Sequence, residues 1–149
     1  MKLSRGFSLL EILVVLLVVG LFSAMSVAWL DAGPAPVARA LDQLAAEAQS
    51  AAARARHSGQ ILGLRWNGRE PEFVHLQAGD GAARWIVEPS GLDPWPQQLL
   101  ADWPSSSTPG VIFTPAGVAG AANLNWRWEA GQQRWDWRTD NSLTRTDLP

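Results

Sequence analysis

A glycine, a phenylalanine and a glutamate lie where a short basic leader meets a long apolar segment. The leader carries Lys2 and Arg5 and ends at Gly6, and Glu11 lies four residues after Phe7. A carboxylate inside an apolar span costs roughly 2.5–3.5 kcal/mol on insertion scales, so it indicates a function and a charged partner. Cleavage after Gly6 would create that partner, the amine of Phe7, in the same or a neighbouring subunit. The alternative is an interfacial glutamate that is tolerated by snorkelling.

The apolar segment behind the leader is long enough to cross a membrane as a helix. Residues 7–30 include few polar side chains, namely Ser8, Glu11, Ser23 and Ser26. A helix of this length reaches about 36 Å, against a hydrocarbon core of about 30 Å. The sequence therefore predicts a leader at residues 1–6 and a transmembrane helix at residues 7–30. The positive-inside rule places the N-terminus in the cytoplasm and the rest of the chain outside it.

Residues 31–59 are predicted to form the amphipathic half of the same long helix. Pro34 and Pro36 predict a kink or a short break at residues 31–36, because each removes a backbone donor and disfavours helix in the residue before it. Beyond them, apolar residues recur at spacings of four and three, as on one face of a helix; they are Val37, Leu41, Leu44, Ala48, Ala51 and Ala55. Ser58 and Gly59 are expected to end the helix.

From Gln60 onward the apolar residues alternate, which is typical of half-buried strands. Strands are predicted at residues 60–66, 72–76, 83–87, 111–114, 123–128 and 134–138. Residues 88–110 hold five prolines and are expected to be largely irregular. The fold class is therefore α+β, with the long N-terminal helix packed through its second half on an antiparallel β-sheet domain that covers residues 60–149.

Sites for catalysis or ligands are poorly supported. The net charge of −2 and the absence of cysteine disfavour a nucleic-acid partner and exclude thiol chemistry. His57 and His75 have no nucleophile motif beside them, and the spacing of the acidic C-terminal residues (Asp136, Asp140, Asn141 and Asp147) matches no calcium loop. The tryptophan-rich strands are interpreted as core or subunit packing rather than a ligand-stacking surface. We expect no catalytic residue, no metal and no cofactor.

The sequence from Arg5 to Glu11, with the apolar run behind it, resembles the class III signal of type IV pilins and pseudopilins. The resemblance implies cleavage by a prepilin peptidase between Gly6 and Phe7, N-methylation of Phe7, and a role in assembly for Glu11. It further implies an inner-membrane protein with a single span, a cytoplasmic N-terminus and a periplasmic C-terminal domain.

The rest of the chain is similar to the H-type minor pseudopilins of type II secretion (GspH) and to FimT-type minor pilins. The similarity lies in the helix end at residues 55–59 and in the strand and turn at residues 111–117. It implies a structural subunit, not an enzyme, with other pseudopilins, prepilin peptidase and the inner-membrane secretion platform as partners. The alternatives are a FimT-like minor pilin acting in pilus assembly or DNA uptake, and an anchored enzyme or carbohydrate-binding module.

Overall fold

The computed structural model describes residues 8–31 and 35–149, with the backbone alone for residues 24–31. The chain divides into two compact units, Met1–Pro36 and Val37–Pro149. Every buried side chain of the described residues belongs to the second unit.

Helix α1 covers Leu9–Asp31 and belongs to the first unit. Its residues are apolar around the whole circumference, and every described side chain from Ser8 to Ser23 is exposed. Within the part of the chain that the structure describes, no helix combines the length and the apolar character needed to cross a membrane. The span expected at residues 7–30 stays a prediction. The expected break at residues 31–36 falls largely on residues 32–34, which lie outside the described residues.

Helix α2 covers Ala35–Ser58 and packs on the strands through the predicted stripe, all of which is buried together with two further alanines: Val37, Leu41, Leu44, Ala45, Ala48, Ala51, Ala52 and Ala55. Gly59 follows the helix with φ of +71°, a conformation that glycine adopts without strain. The Gly59 N–H donates to the Ala55 carbonyl at 3.2 Å. The predicted amphipathic helix and its glycine stop are therefore confirmed.

Nine strands lie in residues 62–148 of the described chain, namely β1 (Leu62–Trp66), β2 (Pro71–Gln77), β3 (Arg84–Val87), β4 (Leu100–Ala101), β5 (Val111–Thr114), β6 (Gly117–Val118), β7 (Ala122–Trp128), β8 (Gly131–Trp137) and β9 (Leu143–Leu148). They form a five-stranded sheet in the order β3-β2-β1-β5-β6 and a four-stranded sheet in the order β4-β7-β8-β9. All of these pairings are antiparallel. The predicted α+β fold class, a helix packed on antiparallel strands, is confirmed.

The strand predictions differ from the structure mainly at its C-terminal end. The loop expected at residues 129–133 is only Glu129 and Ala130, because β8 begins at Gly131 and its N-terminal residues pair fully with β7. Strand β9 was not predicted. Its middle residues are polar and exposed, so it lacks the apolar alternation that identifies a half-buried strand.

One hydrophobic core joins α2 to both sheets within the second unit. Trp126 and Trp135 of the second sheet are fully buried, and their rings meet edge-on with centroids 5.7 Å apart. Trp66 of the first sheet meets Trp126 in the same way, at 5.9 Å. Edge-to-face aromatic pairs add about 0.5–1.5 kcal/mol each beyond the area they bury. Indoles from the two sheets thus hold the sheets together.

Candidate assembly site

Glu11 lies in the first turn of α1, and its side chain is exposed. Ser8 caps this turn, because its Oγ accepts a hydrogen bond from the Leu10 N–H at 3.3 Å. The Ser8 carbonyl also accepts from the N–H groups of Glu11 at 2.9 Å and Ile12 at 3.2 Å. A carboxylate at this position favours the helix start, since it faces the positive end of the helix dipole.

The spacing of Ser8 and Glu11 is a feature that sequence reasoning missed. Serine at the cap followed three residues later by glutamate is the capping-box pattern, which could have placed the helix start. We therefore expect Glu11 to favour the start of α1, separately from the assembly role that the resemblance implies. The two roles need different evidence, because a capping role acts within one subunit and an assembly role acts between subunits.

The surroundings of Glu11 on α1 are apolar. Ile12 is 52% exposed and Leu16 is 65% exposed, and both lie beside Glu11 on the helix surface. Gly6 and Phe7, the predicted cleavage and methylation positions, lie outside the described residues. Their roles stay predictions.

The C-terminal domain uses its tryptophans for packing. The side chains of Trp126, Trp135 and Trp137 are at most 3% exposed, and Trp128 is half-buried. Rings this deeply buried offer no face to a sugar or a base. The interpretation of the tryptophan-rich strands as core is confirmed for these three residues.

A buried glutamine organises the polar groups of this core. Gln133 accepts hydrogen bonds at Oε1 from the Trp135 indole N–H at 2.6 Å and from Arg145 Nε at 3.1 Å. Its Nε2 donates to Asp147 Oδ1 at 2.6 Å. Arg145 also donates to Asp42 of α2 at 2.7 Å. Strand β9 is thereby tied both to the buried indole and to the helix through its polar middle residues.

A second polar group closes the turn between β1 and β2. Arg65 and Asn67 both donate to the carboxylate of Glu72, at 2.8 Å each. Partial burial opposes ionisation of this carboxyl, but the hydrogen bonds from Asn67 and Arg65 outweigh it and lower the pKa of Glu72. The Asn67 side chain also accepts from the N–H groups of Arg69 and Glu70, which fixes the turn. This group stabilises the hairpin.

The acidic C-terminal residues do not converge. Asp136 pairs with Arg134 at 3.2 Å, and Asp147 accepts from Gln133. Hydrogen bonds from the hydroxyl and the N–H of Ser142 lower the pKa of Asp140, which closes the turn before β9. Among the described residues, no group of three or more histidine, aspartate or glutamate side chains is placed to hold a metal ion.

The two histidines are also separate. His75 lies beside Glu88 with 3.4 Å between Nδ1 and Oε1, while His57 lies exposed in the last turn of α2. Ser105, Ser106 and Ser107 lie in the irregular segment before β5, away from regular secondary structure.

Comparisons with known proteins concern the N-terminal sequence and the fold. The family model described as the prokaryotic N-terminal methylation motif matches residues 1–27. Among solved structures, the chain is similar to the minor pseudopilin EpsH from the Type 2 Secretion System of Vibrio cholerae, with a TM-score of 0.56 and 17% sequence identity. The alignment covers 71% of this chain and 92% of that one. No curated protein sequence matches the chain.

These findings carry different information. The match at residues 1–27 concerns sequence and covers the predicted cleavage, methylation and assembly positions. The structural similarity at 17% identity concerns the fold alone. Together they confirm the resemblance to a type IV pilin-like pseudopilin, in its N-terminal motif and in its fold.

Proposed function

We propose that this chain, which combines a type IV pilin-like N-terminal methylation motif with the fold of a minor pseudopilin, is a minor pseudopilin of a type II secretion system. It would assemble with other pseudopilins, major and minor, to help export folded proteins across the outer membrane. The observation that carries the proposal is the presence of the methylation motif and the pseudopilin fold in one chain of 149 residues.

The exposure of α1 supports a role in assembly. Large apolar side chains are exposed along its described length, from Leu9 at 80% to Phe22 at 68%. A helix that is apolar on all sides needs apolar surroundings. We infer that the inner membrane provides them before assembly and that the helices of neighbouring subunits provide them afterwards. The C-terminal domain would then lie in the periplasm.

Within this proposal, Gly6, Phe7 and Glu11 act in sequence. Prepilin peptidase removes residues 1–6 and methylates Phe7, whose amine remains cationic. Glu11 then pairs with that amine on an adjacent subunit. An apolar helix surface sets no axial position by itself, so this ion pair would fix the offset between subunits.

The polar groups of the domain favour a structural role over catalysis or DNA binding. The outer face of the second sheet carries Arg127 and Arg134, but Asp136 lies beside Arg134 and neutralises it. Polyanion binding needs several uncompensated cations, because affinity depends on the number of phosphates that are neutralised.

The proposal is tested by deleting the chain from a host that has a type II secretion system. Loss of export of folded substrates, restored by the wild-type chain, together with cross-links between this chain and other pseudopilins, is the expected result. Unchanged export, combined with salt-dependent DNA binding by the full chain, would assign it to DNA uptake instead and would overturn the proposal.

A further inference from the structure

Strand β3 forms the outer edge of the five-stranded sheet, and it is unusually apolar for an edge. Among residues 35–149, the large apolar side chains that are exposed are few, and two of them lie on this strand: Ile86 is 38% exposed and Val87 is 49% exposed. No described strand pairs with the outer side of β3. An exposed apolar edge of this kind is a template for another strand.

The hydrogen-bond register shows which backbone groups β3 leaves open. The Glu88 N–H donates to the Phe73 carbonyl of β2 at 2.8 Å. In an antiparallel pair, residues alternate between those whose backbone groups point to the partner and those whose groups point away. Glu88, Ile86 and Arg84 therefore bond to β2. Trp85 and Val87 direct their N–H and C=O groups outward.

We propose that β3 pairs in antiparallel fashion with β3 of a second copy of this chain, with Ile86 opposite Ile86 of that copy. In this register Trp85 of each copy lies opposite Val87 of the other. Their outward N–H and C=O groups then form four hydrogen bonds across the interface. Arg84 of each copy lies opposite Glu88 of the other, which places opposite charges at both ends of the pairing.

The charged side chains at the two ends of β3 favour this register, and they favour a second copy of the chain as the partner. A shift of the pairing by two residues keeps the backbone groups aligned, but it places Arg84 or Glu88 opposite the apolar Ile86. Arg84 is exposed and forms no ion pair with another described residue. Within its own chain, the Glu88 carboxylate lies 3.4 Å from Arg54 and 3.4 Å from His75, which are long distances for ion pairs. A strand of the same sequence in reverse direction satisfies both charges, and a second copy supplies that strand.

One of the two edge strands of the other sheet, β9, is a natural comparison. β9 also carries a basic and an acidic residue, Arg145 and Asp147, around a central Thr146. However, Arg145 donates to Asp42 at 2.7 Å, Asp147 accepts from Gln133 at 2.6 Å, and no large apolar side chain of β9 is exposed. The β9 edge is therefore the matched control for β3.

The proposed interface is short, with five residues from each copy. Stable interfaces bury about 1,200–2,000 Å² in total, which a single strand pair does not reach. We therefore expect a dissociable dimer in dilute solution. Confinement of two copies to one membrane or one fibre raises their effective concentration, which favours the pairing without any new contact.

Disulfide cross-linking of the full chain in a mild detergent tests the pairing. The chain has no cysteine, so Ile86→Cys introduces a single thiol at the two-fold centre. Residues opposite each other in a non-hydrogen-bonded pair have Cα atoms about 4.5 Å apart, within the range that a disulfide bridges. Mild oxidation should give a covalent dimer of Ile86→Cys at a yield at least ten-fold above that of Thr146→Cys. Equal yields for the two variants would overturn the proposal. So would cross-links of Ile86→Cys to another protein alone, with no dimer of the chain.

Charge reversal separates a specific register from general adhesion. Arg84→Glu places two glutamates together at each end, and Glu88→Arg places two arginines together, so each variant alone should lose at least five-fold in dimer yield. A mixture of the two variants restores an opposite charge at both ends and should recover dimers that contain one copy of each. Failure of the mixture to recover, with both variants folded by thermal melting, contradicts the pairing.

A backbone variant keeps the test decisive if Glu88→Arg disturbs the contact with Arg54. Val87→Pro removes an outward N–H and leaves the β2–β3 hydrogen bonds in place, because the backbone groups of Val87 do not point at β2. Its dimer yield should fall at least five-fold in the Ile86→Cys background while its melting temperature stays close to that of the parent. Undiminished dimers in this variant would overturn the proposal.

Discussion

The N-terminal helix and the C-terminal domain expose their apolar side chains to opposite degrees. In α1, Leu9 and Leu16 are 80% and 65% exposed, whereas in α2 both Leu41 and Leu44 are at most 2% exposed. The domain therefore buries its apolar side chains within its own fold, whereas the described apolar side chains of α1 stay exposed.

This difference explains why the two regions are identified by different means. In the proposed function the N-terminal segment acts through a peptidase and through neighbouring subunits, which requires particular residues, and the first 27 residues match a sequence motif. A domain that must only fill its own core can do so with many sequences, so the fold persists at 17% identity. The comparison predicts that substitutions in the domain act on stability and that substitutions in α1 act on assembly.

Leu44→Asp should have the largest effect on stability. Leu44 is fully buried between α2 and the sheet, so the substitution combines lost packing with an unpaired buried carboxylate, at a cost of about 4–5 kcal/mol. Thermal unfolding should show a large drop in Tm or no folded domain. Ala46→Asp places the same charge on the exposed face of the same helix and should melt close to the wild type. A wild-type Tm for Leu44→Asp would mean that the stripe faces solvent.

Gln133→Leu should have an intermediate effect, because it leaves the Trp135 N–H buried without an acceptor. Such a group costs about 1–3 kcal/mol. In a double-mutant cycle with Trp135→Phe, the double variant should lose less stability than the two single variants added together, because the donor and its acceptor leave together. Gln132→Leu, at the neighbouring half-buried position, is the control. Denaturant unfolding measures these variants and the wild type, and equal stability of Gln133→Leu and wild type would refute the role of Gln133.

Glu72→Gln should have a small effect that depends on pH. The pKa of Glu72 is lowered in the folded state from its ordinary value of 4.5, so its contribution is fully present above that pH and is lost as the pH falls through the lower folded-state pKa. The variant should lose about 0.5–1 kcal/mol near pH 7 and should approach the wild type in stability near pH 3. The exposed Glu70→Gln is the control. A loss that is the same at both pH values would rule out the ionised carboxylate as the cause.

Glu11→Val should leave the domain's Tm unchanged and still prevent assembly. The expected result is loss of helix cross-links to other pseudopilins and at least a ten-fold fall in secretion, with cleavage at the leader retained. Glu11→Gln separates the two roles of this residue, because it keeps a polar group in the first turn but removes the charge. If Glu11→Gln supports secretion at the wild-type level, Glu11 acts as a helix cap rather than in an ion pair.

The sequence predicts well those elements in which the buried residues recur with one period, either that of a helix or that of a strand. The α2 stripe from Val37 to Ala55 and the alternation of Leu124 and Trp126 in β7 follow directly from helical and strand geometry. β9 escapes prediction because its contacts are polar and long-range, as in the bond from Arg145 to Asp42. A turn signal at Asp140 and Asn141, where Asn141 has φ of +70°, could have indicated a further strand.

The candidate sites also differ in whether the sequence alone identifies them. Glu11 is recognisable from sequence because a carboxylate in an apolar run is conspicuous, and its cap, Ser8, is recognisable by spacing. The β3 edge could not be found in this manner. Its significance depends on which backbone groups face outward, and that follows from the register between Glu88 and Phe73 in the folded sheet.

Intact-mass measurement of the chain from a host with prepilin peptidase is the most direct test of whether the N-terminal segment is processed for assembly. We expect a chain that has lost residues 1–6 and carries one N-terminal methyl group on Phe7. Gly6→Val should block this cleavage, because its branched side chain crowds the peptide bond that the peptidase must approach. A wild-type chain that still begins at Met1 in that host, while a known pseudopilin in the same cells is processed, would contradict the account.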